Sequence, residues 1–213
     1  MADWIQAIGT ILAVFVAVAI PAFQMYKDSK RNNEARIEDR YYSLRHNAFL
    51  VDSWITRSKE GWKICIVNGS EGVIRDIQVH VQWPELDTAH DTQLDCEDLH
   101  VAPKTQKPWR TLLPGTWLIS PKPTTGNLRY SSWNYPVRKS SQEELPSPAF
   151  FDSKSDNHAL IALKFTDVFD NTWVRIYSCV PQDCGIRPGL YLLATSDQRL
   201  QKYTRTIPFL NAQ

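Results

Sequence analysis

Glycine is scarce in this chain, with eight residues in 213 against thirteen prolines. That balance suits extended segments joined by stiff loops. No P-loop, GxGxxG, GxSxG or HExxH pattern occurs. The commonest signatures of phosphate cradling, dinucleotide binding, acyl transfer and zinc proteolysis are therefore missing. Neither sign of charge dominates: 24 Lys and Arg face 23 Asp and Glu, so the whole chain has no net attraction for nucleic acid or anionic lipid. The four cysteines, Cys65, Cys96, Cys179 and Cys184, include no CxxC pair and are too few to staple a chain of this length. In a reducing compartment they are thiols. No catalytic residue and no cofactor can be named.

What is present begins at the N-terminus. Ile5 to Phe23 contains no charged side chain. At the helical rise this run spans roughly 28 Å, close to the hydrocarbon thickness of a bilayer. Trp4 and Tyr26 flank it as interfacial aromatics do. A cleavable signal peptide would carry positive charge before the run and small residues after it. Here Asp3 precedes it and Gln24-Met25-Tyr26 follow, so the run reads as a retained transmembrane helix. No Lys or Arg precedes it, whereas Lys27, Lys30, Arg31, Arg36, Arg40 and Arg45 come after. Basic flanks stay inside, which predicts an inner (plasma) membrane protein with its N-terminus outside and its bulk in the cytoplasm. Gly9, Ala13 and Ala17 fall four apart, a small-residue stripe suited to helix self-association and a homo-oligomer.

Residues 26–46 read as a basic helical stalk. Ile37, Tyr41, Leu44, Ala48 and Val51 form a short heptad seam, for dimerisation or for packing on the chain's own domain. Asn47 to Thr56 also reads as a strand. Residues 47–213 read as one cytoplasmic domain, mainly β. Trp62 to Val67 pairs as a hairpin with the run before it. In Val73 to Trp83, Ile77, Val79 and Val81 point one way and Asp76, Gln78, His80 and Gln82 the other. Trp109 to Ile119 holds a strand pair or a bent strand around Pro114-Gly115. Ala159 to Phe165 and Thr172 to Val180 form a second hairpin, and Leu190 to Ala194 a strand or short helix. The expected fold is an antiparallel immunoglobulin-like sandwich, with a small closed barrel as the alternative, preceded by one transmembrane helix and a short stalk. The anchor covers residues 1–25, and a long loop occupies 120–158.

The pattern Phe165-x-Asp167-x-x-Asp170-Asn171-x-Trp173-x-Arg175, with Val67-Asn68-Gly69-Ser70, Ile74-Arg75-Asp76-Ile77 and Leu113-Pro114-Gly115, resembles small membrane-anchored proteins of actinobacteria and their phages. The resemblance implies an N-terminal helix, a basic stalk and a β-rich domain, and no activity. Asp170 stands where the pattern usually has Gly, so a tight turn there requires Asp170 or Asn171 at positive φ. In the same hairpin, Asp167 and Arg175 are expected to pair across the strands.

Candidate sites are few. The stretch from Ala89 to His100 (AHDTQLDCEDLH) reads as a solvated acidic loop that could hold a divalent metal if it folded round one. Cys179 and Cys184 could meet across a turn as a zinc half-site or a disulfide. Lys104, Lys107, Trp109 and Arg110 form one basic and aromatic patch, and Arg129, Tyr130, Trp133, Tyr135, Arg138 and Lys139 a better one. Both read as surface loops whose aromatics pack back on the sandwich rather than as nucleic-acid sites. The expected function is a non-enzymatic, membrane-tethered module. It would present its domain to a protein partner through Arg129, Tyr130, Trp133, Tyr135 and Arg138, on an excursion (121–155) removable without loss of fold. The alternative is an oligomerising membrane effector, or a phage- or defence-related protein, with the β-domain as sensor.

Overall fold

A computed structural model describes residues 2–58, 61–82, 109–122, 132–140, 146–147, 159–177 and 187–207, with side chains of the first helix described from Phe15 onward. The chain divides into two units, Met1–Leu44 and Arg45–Gln213.

The first unit is helix. α1 runs unbroken from Ala2 to Phe49 and ends inside the second unit. Its first part is apolar, and the rest is rich in Lys, Arg and Glu, which lose little rotamer freedom in a helix. Pro21 lies inside it, removing one i→i−4 bond, and the helix continues on both sides. Among the described residues, no helix is long and apolar enough to cross a membrane. Ten residues of the uncharged run, Ile5 to Val14, have side chains outside that set. α1 stops where Leu50 N donates to Asn47 O at 3.2 Å. The expectation of a strand from Asn47 is therefore corrected: the helix holds to Phe49, and Val51, counted in the heptad seam, begins a strand instead.

The second unit is mainly β, with two antiparallel sheets. β1 (Val51–Ser58) and β2 (Gly61–Asn68) make the expected hairpin, with Ser58 opposite Gly61. β3 is Ile74–Gln82, β4 Trp109–Leu112, β5 Gly115–Ile119 and β8 Val137–Arg138. β9 is Ala159–Thr166, β10 Thr172–Ile176 and β11 Gly189–Ala194. One sheet has the order β1-β2-β5-β8, the other β11-β10-β9-β3-β4. A separate pair joins β6 (Pro121–Lys122) to β7 (Ser132–Trp133). A short 3-10 helix, Gln198–Tyr203, is capped by Asp197.

Register explains the core, because directly opposed residues share a face. In the first sheet Val51, Ser53 and Ile55 oppose Asn68, Ile66 and Ile64, and Ile64 opposes Ile119. All of these are buried. In the second sheet Trp173 lies between Phe165 and Leu192. A row across four strands reads Val79, Leu163, Arg175, Leu190, and all four are buried.

Trp109 to Ile119 resolves as a bent strand. β4 pairs with β3, but past the corner β5 pairs with β2 in the other sheet. Gly115 makes the corner at φ +135, and a Cβ there would meet Arg138 Nε at 3.2 Å. His80 is a second correction. Ile77 and Val79 are buried as expected, yet His80, assigned to the outward face, is only 4% exposed. It opposes the fully buried Ala162, so the sheet is covered on both faces at this point. Alternation cannot register a strand buried on two sides. The β9–β10 turn takes the positive φ that its missing glycine requires at Asp170, with φ 59.

Candidate functional site

The described part of the excursion sits on the edge of the four-stranded sheet. β8 pairs with β5, with Arg138 opposite Trp117 and Val137 opposite Leu118. Asn134 N and Lys139 N donate to Ser120 O at 2.9 Å and Thr116 O at 2.8 Å, closing both ends of that short strand. Tyr135 is 85% exposed and Val137 67%. A large aromatic and a β-branched side chain presented this far into water, on a sheet edge, form a surface on which a partner can bury apolar area. Arg138 is exposed but engaged: its guanidinium donates to Pro114 O at 3.0 Å and lines Gly115. Arg129 and Tyr130 lie outside the described residues, as does the side chain of Trp133 in β7. Gly9 and Ala13 occupy α1 with side chains outside the described set, and Ala17 is exposed on it.

The excursion cannot be deleted without cost, which corrects the expectation that it is removable. Trp54 Nε1 donates to Pro146 O at 2.8 Å and Thr56 Oγ1 to Ser147 O at 2.9 Å, so this stretch covers the outer side of β1. Cys65, between Trp54 and Leu118 in register, is fully buried there. Burial pushes its thiol up to about 12 against the opposing pull of Lys139, so it is an inert thiol. Of the other basic patch, Trp109 is buried and only Arg110 is described as exposed. That removes its aromatic from base stacking. Lys104, Lys107, the Ala89–His100 stretch, Cys179 and Cys184 lie outside the described residues. Among the described residues no three His, Cys, Asp or Glu side chains come together as metal ligands.

A second cluster joins the helix end to both sheets. Arg175 Nη1 pairs with Asp52 Oδ2 at 2.8 Å, and its Nη2 donates to Phe49 O at 2.6 Å. The guanidinium carbon stands 4.4 Å from the Phe49 ring centroid. A cation on the last carbonyls of a helix is favourably placed against its dipole. Tyr177 Oη is buried nearby, and burial, then the Asp52 charge, pushes its phenol well above the usual range. Asp167 does not take part, so the expected Asp167–Arg175 pair is overturned. The Asp167 carboxylate instead accepts from Phe169 N, Asn171 N, Asn171 Nδ2 and Trp173 Nε1. Asp170, not Asp167, takes an arginine, Arg75. One signal in the sequence marked Arg175: it is the only charged residue in the strand TWVRI.

Sequence reasoning missed a group of exposed apolar side chains around the β2–β3 turn. Gly69 N donates to Leu50 O, Gly72 packs on Val168, and Asn68 Nδ2 donates to Leu112 O. Leu50, Leu113, Val168 and Phe169 are thereby gathered at one end of the unit, each at least 41% exposed.

His80 is held neutral. Burial, with the Lys164 charge adding to it, pushes its pKa down from 6.5 to about 4. The unfolded chain therefore takes up the proton first, and stability is complete above about pH 6.5 and falls as pH drops toward about 4. His80→Gln should lose less stability than wild type between about pH 7 and pH 5. Equal losses in the two, read from chemical denaturation midpoints, would refute this role.

No family model matches the chain, and neither a curated protein nor a solved structure matches it.

Proposed function

We propose that this protein is a membrane-tethered, non-enzymatic interaction module. Its β-domain would stand at the cytoplasmic face and capture a protein partner on the β8 edge. The observation that carries the reading is the uncharged run Ile5 to Phe23 within one continuous helix, all of whose Lys and Arg side chains come after the run. An uncharged, mostly apolar helical run of this length is rarely stable in water, and the basic flank sets its orientation.

The strand order supports an immunoglobulin-like sandwich for the second unit. The chain changes sheet after β2, after β4 and again before β9, which puts β1, β2 and β5 in one sheet and β4, β3, β9 and β10 in the other. An immunoglobulin-like sandwich distributes its strands in the same way, A, B and E against C′, C, F and G. Tyr135 and Val137 are the side chains on which the partner reading rests, and tethering raises the effective concentration of the domain at the membrane.

The test uses spheroplasts and membranes from cells making the full chain. The protein should stay in the membrane after alkaline carbonate extraction and resist protease added outside. Crosslinked pull-down should recover a partner that Tyr135→Ser with Val137→Ser loses. A soluble chain, or digestion from outside, would refute the tether and its orientation. Unchanged capture by the double variant would refute the β8 surface.

A further inference from the structure

The chain contains one Asn-Gly pair, Asn68-Gly69. Asn-Gly is the dipeptide most prone to spontaneous deamidation, because no Cβ on glycine hinders its amide nitrogen. That nitrogen attacks Cγ of the asparagine, a C–N bond forms, and the side-chain amide nitrogen leaves as ammonia. Water then opens the cyclic imide to aspartate or isoaspartate.

The fold requires both residues. A Cβ at position 69 would lie 2.9 Å from Leu50 O, a backbone atom that cannot step aside. Asn68 is 1% exposed and uses both ends of its amide. Its Nδ2 donates to Gly72 O at 2.8 Å and to Leu112 O at 3.3 Å. Its Oδ1 accepts from Ser70 N at 3.2 Å and Ser70 Oγ at 2.6 Å. No other side chain of this size offers two donors and one acceptor oxygen in that geometry.

The contacts that demand the labile pair also restrain it. Gly69 N, the attacking atom, donates to Leu50 O at 3.0 Å. Asn68 is fixed in register between Val51 and Gly115, and its amide is held by the bonds to Gly72, Leu112 and Ser70. Leu50 directly follows α1, whose last carbonyl, Phe49 O, is gripped by Arg175. The restraint on Gly69 therefore runs through the attachment of the helix end.

We propose that Asn68-Gly69 is a latent deamidation site, closed while Phe49 and Leu50 are docked and opened when they detach. Conversion is one-way. A carboxylate at position 68 would face the carbonyls of Gly72 and Leu112 with no proton to donate, and isoaspartate would add a backbone carbon to β2. Detachment of the helix end is thereby recorded as a covalent change that prevents redocking.

The test follows aspartate and isoaspartate at position 68 by peptide mapping of the full chain in detergent at mildly alkaline pH. In urea the site should convert while the folded wild type shows no conversion over the same time. Arg175→Met should speed conversion in native buffer by about tenfold or more, as expected when local opening becomes easier. Leu192→Ala, in the core beside Trp173 and in none of the bonds that hold Leu50 or Asn68, is the control for global destabilisation. If Arg175→Met does not fold, Phe49→Ala, which removes the ring beneath the guanidinium, takes its place. Conversion in folded wild type at the urea rate would overturn the proposal. So would a junction variant no faster than Leu192→Ala at matched stability.

Discussion

Arg175→Met should destabilise the β-unit by about 2–3 kcal/mol, the range for losing hydrogen bonds to a buried charge. The methionine replaces most of the packed stem but none of the donors. Phe49 O loses its 2.6 Å partner, and Asp52 loses its cation. The Asp52 side chain is 45% exposed, so water screens that half of the pair, and most of the loss comes from the helix end. Asp52→Asn should accordingly cost less than Arg175→Met. Denaturation followed by tryptophan fluorescence measures both. An Arg175→Met variant within about 0.5 kcal/mol of wild type would show that the junction contributes nothing beyond an ordinary surface contact.

Asp167→Ala should cost about 3 kcal/mol, because it strands several donors at once. Trp173 Nε1 loses its 2.8 Å acceptor at the base of the core, where the tryptophan itself is fully buried. Asn171, 2% exposed, loses the acceptor for both its backbone and side-chain N–H groups, while its side-chain oxygen keeps the bond from Thr195. Asp170 must hold positive φ in the same turn, so the loop has little freedom to find substitutes. Asp167→Asn should cost less, since one oxygen survives as an acceptor, but it should still cost something, because the new amide NH2 faces a donor. If the alanine variant melts like wild type, the carboxylate is not the organiser of this turn.

The two hairpins were legible in the sequence because their determinants are local. Alternating side chains and the residues of the turns lie within a few positions of each other in β1–β2 and β9–β10. Asp170 at positive φ was legible for the same reason: a missing glycine leaves few residue types that tolerate the turn. The exposure of Tyr135 was not legible: the aromatics of that polar, proline-rich stretch read as packing back on the sandwich, yet Tyr135 is 85% exposed. Nor was its place on a paired sheet edge, since β5 lies elsewhere in the chain.

By its own residues the sequence determined the uncharged run, the basic flank after it, and the β character of the chain beyond the helix. These depend on solvation and on pairing between neighbours in the chain. Tertiary structure decided the rest. It carried α1 on to Phe49, where the docked end outweighed the strand propensity of the residues after Asn47. It sent β4 and β5 into different sheets and buried His80 on a face that alternation assigns to water. It gave Arg175 to Asp52 and Phe49 instead of Asp167. In each case the deciding partner is distant in sequence, and local pattern contains no information about which distant surface will cover it.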